Sequence, residues 1–206
     1  MDKARYFIAV LIAVTLPPSI ASWYLIHPFA RFWRRLGPVA TFSIVYALLI
    51  SACLLLWESR TLLLGPDLGT QPVLLVLAVP AAAVGIIIAR RRRRLLTARV
   101  LMGVPEISSK DKGRLLTEGI YARTRNPRYL EFFAFGFAYV AFANYAGTWI
   151  LWVLSLPAIH LVVLLEEREL RDRFGAEYDE YCRRVPRYIP GRPSAADATA
   201  STTPSK

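Results

Sequence analysis

Histidine and cysteine are almost missing: the 206 residues hold two of each. Neither His27 nor His160 has neighbouring donors at the spacing of a zinc or iron site, so no metal centre is expected. Cys53 stands inside an apolar run and Cys182 in a charged stretch beyond the last run, which keeps a disulfide from forming between them. Acidic residues are scarce as well, 15 against 26 Lys and Arg, for a net charge of +11. An excess of that size can mark a nucleic-acid partner. Here the arginines flank apolar runs and form no separate basic domain, so no nucleic acid is implied. There is no internal repeat. Apolar content falls away over 191–206, where Pro, Ser, Ala and Thr predict a disordered tail.

What the chain has in abundance is apolar length. Hydrophobic residues make up 55%, more than an ordinary globular domain carries. They gather in runs near the ~20 residues that cross hydrocarbon as a helix, over 6–26, 38–57, 72–89, 129–145 and 148–165. The expected fold class is all-α: an integral membrane helical bundle of five transmembrane helices, one domain over 1–190. A cytoplasmic segment at 99–128 and a cytoplasmic C-terminal helix over 166–182 complete it. Cytoplasmic loops collect Lys and Arg, and with five spans 23 of the 26 basic residues fall on one face, the run Arg90 to Arg94 among them. That face is expected to be cytoplasmic, with the N-terminus outside and the arginines attracted to anionic membrane lipids. Lys3 and Arg5, an apolar run and Ser19-Ile20-Ala21 also imitate a signal peptide, whose cleavage would leave four spans. The apolar residues Trp23 to Ile26 lengthen the run to spanning size and favour its retention.

Polar chemistry concentrates between Gly119 and Pro190. Asn126-Pro127 reads as a helix start, because Asn is a good N-cap and Pro is favoured at the first helical position. The N–H groups of that helix would face the membrane boundary, where an anionic group can dock. Arg123, Arg125 and Arg128 bracket the cap as interfacial anchors or as ligands of a carboxylate. Tyr121 and Tyr129 suit an aromatic belt or an adenine. Glu166-Glu167 closes the last run, and Leu170, Phe174, Tyr178 and Tyr181 then recur on one helical face. Glu167 with Arg171 and Glu169 with Arg173 stand at i,i+4 spacing, and Glu131 at i,i+3 from Arg128. His160, ionisable within a span, is either a functional group or a neutral partner of a neighbouring helix.

The order Gly119-Ile120-Tyr121, Arg125-Asn126-Pro127-Arg128-Tyr129, two apolar spans, Glu166-Glu167-Arg168-Glu169-Leu170, Phe174-Gly175-Ala176-Glu177-Tyr178-Asp179-Glu180-Tyr181 and Val185-Pro186 resembles one family. It is that of the isoprenylcysteine carboxyl methyltransferases and the related phospholipid methyltransferases. These read Gly-x-Tyr, Arg-His-Pro-x-Tyr, a helical hairpin, Glu-Glu-x-x-Leu, Phe-Gly-x-x-Tyr-x-x-Tyr and Val-Pro. The resemblance covers 115–190 and implies S-adenosyl-L-methionine as cofactor, held by Gly119, Ile120, Tyr121, Arg125, Asn126, Pro127, Tyr129, Glu166 and Glu167. Arg125 and Glu167 carry over as catalytic residues.

Two departures bear on the acceptor. Asn126 replaces the family's histidine and cannot take up a proton near neutral pH. Val162 stands about one turn before the glutamates, where the family has an arginine that could orient a substrate carboxylate. The best available base is then Glu166 or Glu167, which favours an acceptor already anionic or one whose proton can leave to water. A lipophilic acceptor is expected, a prenylcysteine carboxylate among the candidates. A membrane sterol or steroid reductase using NADPH, whose C-terminal arrangement is comparable, and a non-catalytic scaffold are the alternatives.

Overall fold

The computed structural model describes residues 2–95 and 114–189. Proline sets where its long helices begin. Pro38 and Pro72 stand at the first helical positions of α3 (Pro38–Glu58) and α5 (Pro72–Arg93), as Pro127 does for α6 (Pro127–Ala143). Around them lie α1 (Asp2–Ile26), the short α2 (Ala30–Leu36) and α4 (Arg60–Leu64), α7 (Ala146–Phe174) and α8 (Ala176–Arg184), with a 3-10 turn at Gly119–Ala122. No strand occurs among the described residues.

Four helices are long and apolar enough to cross a membrane: α1, α3, α5 and α7. The remaining expected span, 129–145, is helical as α6, whose 17 residues reach only the short end of the spanning range. Outward faces carry the apolar residues that a water-soluble protein would bury. Leu54 and Leu55 of α3 are 65% and 73% exposed, and Val76 and Val79 of α5 70% and 69%. Hydrocarbon is the solvent that fits such faces. The interior is built from small residues instead. Ala9 and Ala13 of α1 are buried where that helix packs on α3, α6 and α7. On α5, a Cβ at Gly85 would come within 3.0 Å of the Phe135 ring of α6, so glycine sets the approach of that pair.

The two ends of the bundle are fastened differently. At one end Arg5, 2% exposed, donates to the Ala143 carbonyl at 3.2 Å and pairs with the Asp67 carboxylate. The Gly69 N–H and the Arg5 guanidinium hold the Asp67 carboxyl below its usual 3.8, against the opposing pull of burial. A depressed carboxyl contributes stability above its unfolded pKa and loses it as pH falls through the folded value. Thermal stability should therefore fall as pH drops below the ordinary carboxyl value of about 3.9, and Asp67→Asn should lessen that fall. An equal drop in the variant would remove Asp67 as the cause.

At the other end α7 outruns the membrane. Its 29 residues extend ~44 Å against ~30 Å of hydrocarbon. Counting from Ala146, about 20 residues fill the apolar layer and bring the helix to about Leu165. The charged turns from Glu166 onward then stand at or beyond its edge. The helix expected over 166–182 is divided. The span runs unbroken through the glutamates to Phe174, and Gly175, with φ +53, breaks it from α8. A left-handed backbone favours glycine and redirects the chain. Even so, Leu170, Phe174, Tyr178 and Tyr181 pack together with Leu115 and Val185. Of the 99–128 segment only 114 onward falls within the described residues, and the tail at 191–206 falls outside them.

Candidate functional site

A buried carboxylate organises the end of the bundle where α7 emerges. Glu167 is 3% exposed. Arg187 grips it with a fork, Nε to Oε1 at 3.0 Å and Nη2 to Oε2 at 2.8 Å. The Asn126 amide donates to Oε1 at 3.2 Å, and Arg125 Nη2 lies 3.5 Å from the same oxygen. Sequestering a carboxylate from water is costly unless cations and donors surround it, and here they do. The intrahelical pair expected with Arg171 does not form: Arg171 holds Asp179 at 2.7 Å, because Glu167 points inward.

The segment carrying Arg125 and Asn126 is strapped to backbone carbonyls of the C-terminal stretch. Arg125 N–H donates to the Pro186 carbonyl at 3.0 Å, the buried Thr124 hydroxyl to the Arg187 carbonyl at 3.1 Å, and Asn126 Nδ2 to that same carbonyl at 3.3 Å. Asn126 does occupy the N-cap position before Pro127, yet its side chain makes no cap hydrogen bond. The amide is spent across the fold instead. Asn126→Ser, a sound cap but too short for this reach, should therefore cost about 1.5 kcal/mol in thermal unfolding. A silent substitution would return Asn126 to a capping role.

Tyr129 and Glu166 form the second element. The Tyr129 ring is fully buried, and its hydroxyl donates to Glu166 Oε2 at 2.5 Å. Trp23 of α1 meets that ring edge-on at 5.6 Å, and the Arg128 guanidinium lies 4.8 Å above Trp23. Ile159, Val162 and Val163 complete the packing. Val162 is 0% exposed, so the position of the family's arginine is closed here by apolar contact. Glu166 thus accepts from a hydroxyl, where Glu167 accepts from a guanidinium fork and an amide.

Gly119 opens the approach from α5. Its φ of +60 favours glycine, and a Cβ would come within 2.7 Å of a Leu95 methyl. With Ile120 it lines a cavity of about 370 Å³ shared with Leu95 and three arginines, Arg91, Arg94 and Arg123. Tyr121 follows. Burial pushes its hydroxyl up to about 12, with the Arg92 and Arg128 charges pulling it down and Glu166 adding to the rise. Its carbonyl accepts the Tyr181 hydroxyl at 2.7 Å, and burial raises that hydroxyl too.

The structure therefore gathers Arg125, Asn126, Pro127, Tyr129, Glu166 and Glu167 at one place, with Gly119 and Ile120 at a neighbouring cavity and Tyr121 linked to α8. Arg125 also places Nη1 against the Cys182 sulfur, while its buried Nε has no partner among the described residues. Glu131 pairs with Arg92 of α5, Nε to Oε2 at 2.9 Å, where the spacing had pointed to Arg128. His160 has its contact with the stretch after α8 and not with a neighbouring helix: Nδ1 is 2.8 Å from the Tyr188 hydroxyl. Arg187, the strongest partner of Glu167, was not singled out from the sequence. Its signal would have been a lone arginine after the helix-ending Val185-Pro186.

Over 171 aligned residues, 79% of this chain, the sequence is 30% identical to methanethiol S-methyltransferase 2 of Bradyrhizobium diazoefficiens, and the chain spans 64% of that protein's length. No family model matches the chain. No solved structure matches it either.

Proposed function

We propose that this chain is an integral membrane methyltransferase that uses S-adenosyl-L-methionine and methylates a lipophilic acceptor, with a thiol favoured over a carboxylate. The observation that carries the reading is the convergence at one end of the bundle of residues far apart in sequence, Tyr129 on Glu166 and Asn126 on Glu167. The similarity to a methyltransferase supports it.

The residues present fit the cofactor's charges. Arg91, Arg94 and Arg123, around the cavity at Gly119 and Ile120, suit its carboxylate. The buried Arg125 Nε, with a donor to spare, suits a further acceptor atom. Glu166, beside Tyr129 and Tyr121, suits its cationic end. Bound there, S-adenosylmethionine would supply a methyl group activated by its sulfonium charge. Glu167 is the positioning residue: its oxygens are committed to Arg125, Asn126 and Arg187, which holds the cofactor segment against α7.

Acceptor choice follows from two side chains. Apolar packing closes position 162, so no cation stands there to orient a carboxylate. A thiol needs to lose a proton, and Glu166, which accepts the Tyr129 hydroxyl at the edge of the site, is the group able to accept it. The test is methyl transfer in proteoliposomes from labelled S-adenosylmethionine to a panel of lipophilic thiols and prenylcysteine carboxylates. Label in the thiols supports the reading; label confined to carboxylates overturns the acceptor assignment.

A further inference from the structure

One helical face of α7 carries charge where a packing face would carry apolar side chains. Leu165, Arg168, Glu169, Asp172 and Arg173 fall at i, i+3, i+4, i+7 and i+8, the stripe that a helix turns toward its neighbours. They turn it toward the α1–α2 corner, which brings His27, Arg31 and Arg34. Between the two lies a cavity of about 520 Å³.

Glu169 is the hub of that cavity and is 11% exposed. It holds Arg34 at 2.6 Å, His27 Nδ1 at 3.3 Å and Arg173 at 3.7 Å. The i,i+4 pair with Arg173 is the longest of these. Arg31 and Arg168 are exposed and stand on the lining beside this hub. The lining as a whole sets four arginines against the carboxylates Glu169 and Asp172, a surplus of positive charge before His27 is counted.

Arginines at a membrane edge ordinarily project toward headgroups as anchors. These differ in facing one another across a space, at the level where α7 leaves the apolar layer. Guanidinium groups so placed match the oxygens of a phosphate, and a surplus of positive charge suits a phosphate monoester, which carries close to two negative charges near neutral pH. We propose that this cavity binds a phosphate-monoester group, carried either by a lipid of phosphatidic-acid type entering from the adjacent leaflet or by free phosphate. Basic pockets between membrane helices on the headgroup side are suited to such ligands. The inference is independent of methyl transfer: it needs only the corner, the stripe and their charges.

The full chain in detergent is titrated with short-chain phosphatidic acid, short-chain phosphatidylcholine and inorganic phosphate, with thermal unfolding as the readout. The double variant Arg31→Gln, Arg168→Gln removes two lining cations without touching the Glu169 pairs; Arg90→Gln, Arg93→Gln removes two exposed arginines elsewhere. Saturable stabilisation by phosphatidic acid or phosphate is expected. Half-saturation should move at least about tenfold higher in the first variant and stay unchanged in the second, a shift appropriate to one lost charge-assisted hydrogen bond. Response to phosphatidic acid alone assigns a lipid; response to both assigns the phosphate group itself. Equal response in the first variant and the wild type, equal response to phosphatidylcholine, or no response to either probe overturns the proposal. Retention of phosphatidic acid through delipidation, read by native mass spectrometry of the wild type, gives a readout that needs no variant: retention supports the site and its absence, with no phosphate response, overturns it.

Discussion

Glu167→Gln is expected to destabilise the protein by about 3 kcal/mol, the scale seen when one member of a buried ion pair is removed. The residue is nearly isostere to its replacement, so packing barely changes. What changes is charge: Arg187 and Arg125 lose their shared carboxylate, and an amide would present a donor to two groups that only donate. Arg187→Ala should fall in the same direction through the same contact, and the double variant should lose less than the sum of the two, because each single change already removes the contact between them. Thermal unfolding in detergent measures all three. Additive losses would mean that the Arg187–Glu167 fork contributes no coupling, and the positioning role assigned to Glu167 would fail with it.

Glu166→Gln should leave the fold intact and lower kcat on a thiol acceptor by about 10²–10⁴-fold, the range for a lost general base. Glutamine still accepts the Tyr129 hydroxyl, so thermal stability should move little. The diagnostic is pH. As the pH rises past a thiol's own value near 8.5, the acceptor ionises unaided and the variant's deficit should shrink. A loss of stability comparable to that of Glu167→Gln, or a deficit independent of pH, would show that Glu166 supports structure instead of accepting a proton.

The two glutamates also mark the boundary of what one chain reveals. Apolar runs identified α1, α3, α5 and α7, since hydropathy over the length of a span is a local property. Pro38, Pro72 and Pro127 start α3, α5 and α6 for a similar reason, because a fixed φ and a missing N–H act within one turn. The Gly175 break was obscured because the spacing of Leu170, Phe174, Tyr178 and Tyr181 continues across it, although the helix does not. Spacing along a helix suggested Glu131 with Arg128 and Glu167 with Arg171. The structure takes both glutamates to other elements, to Arg92 and Arg187, since an inward-facing carboxylate is claimed by whatever cation packing delivers. Glu169 keeps its i,i+4 partner and gains His27 and Arg34, residues from an N-terminal half that had offered only hydropathy. Asn126 was placed correctly at the start of α6, but its amide serves Glu167, which no local rule foretells.

The most direct test of a cofactor site among the Arg123–Tyr129 segment, Gly119 and Glu166 is a titration of the purified protein with S-adenosylhomocysteine, with NADPH titrated in parallel and calorimetry as the readout. The account predicts saturable binding of S-adenosylhomocysteine and none of NADPH; binding of NADPH alone, or of neither, would contradict it.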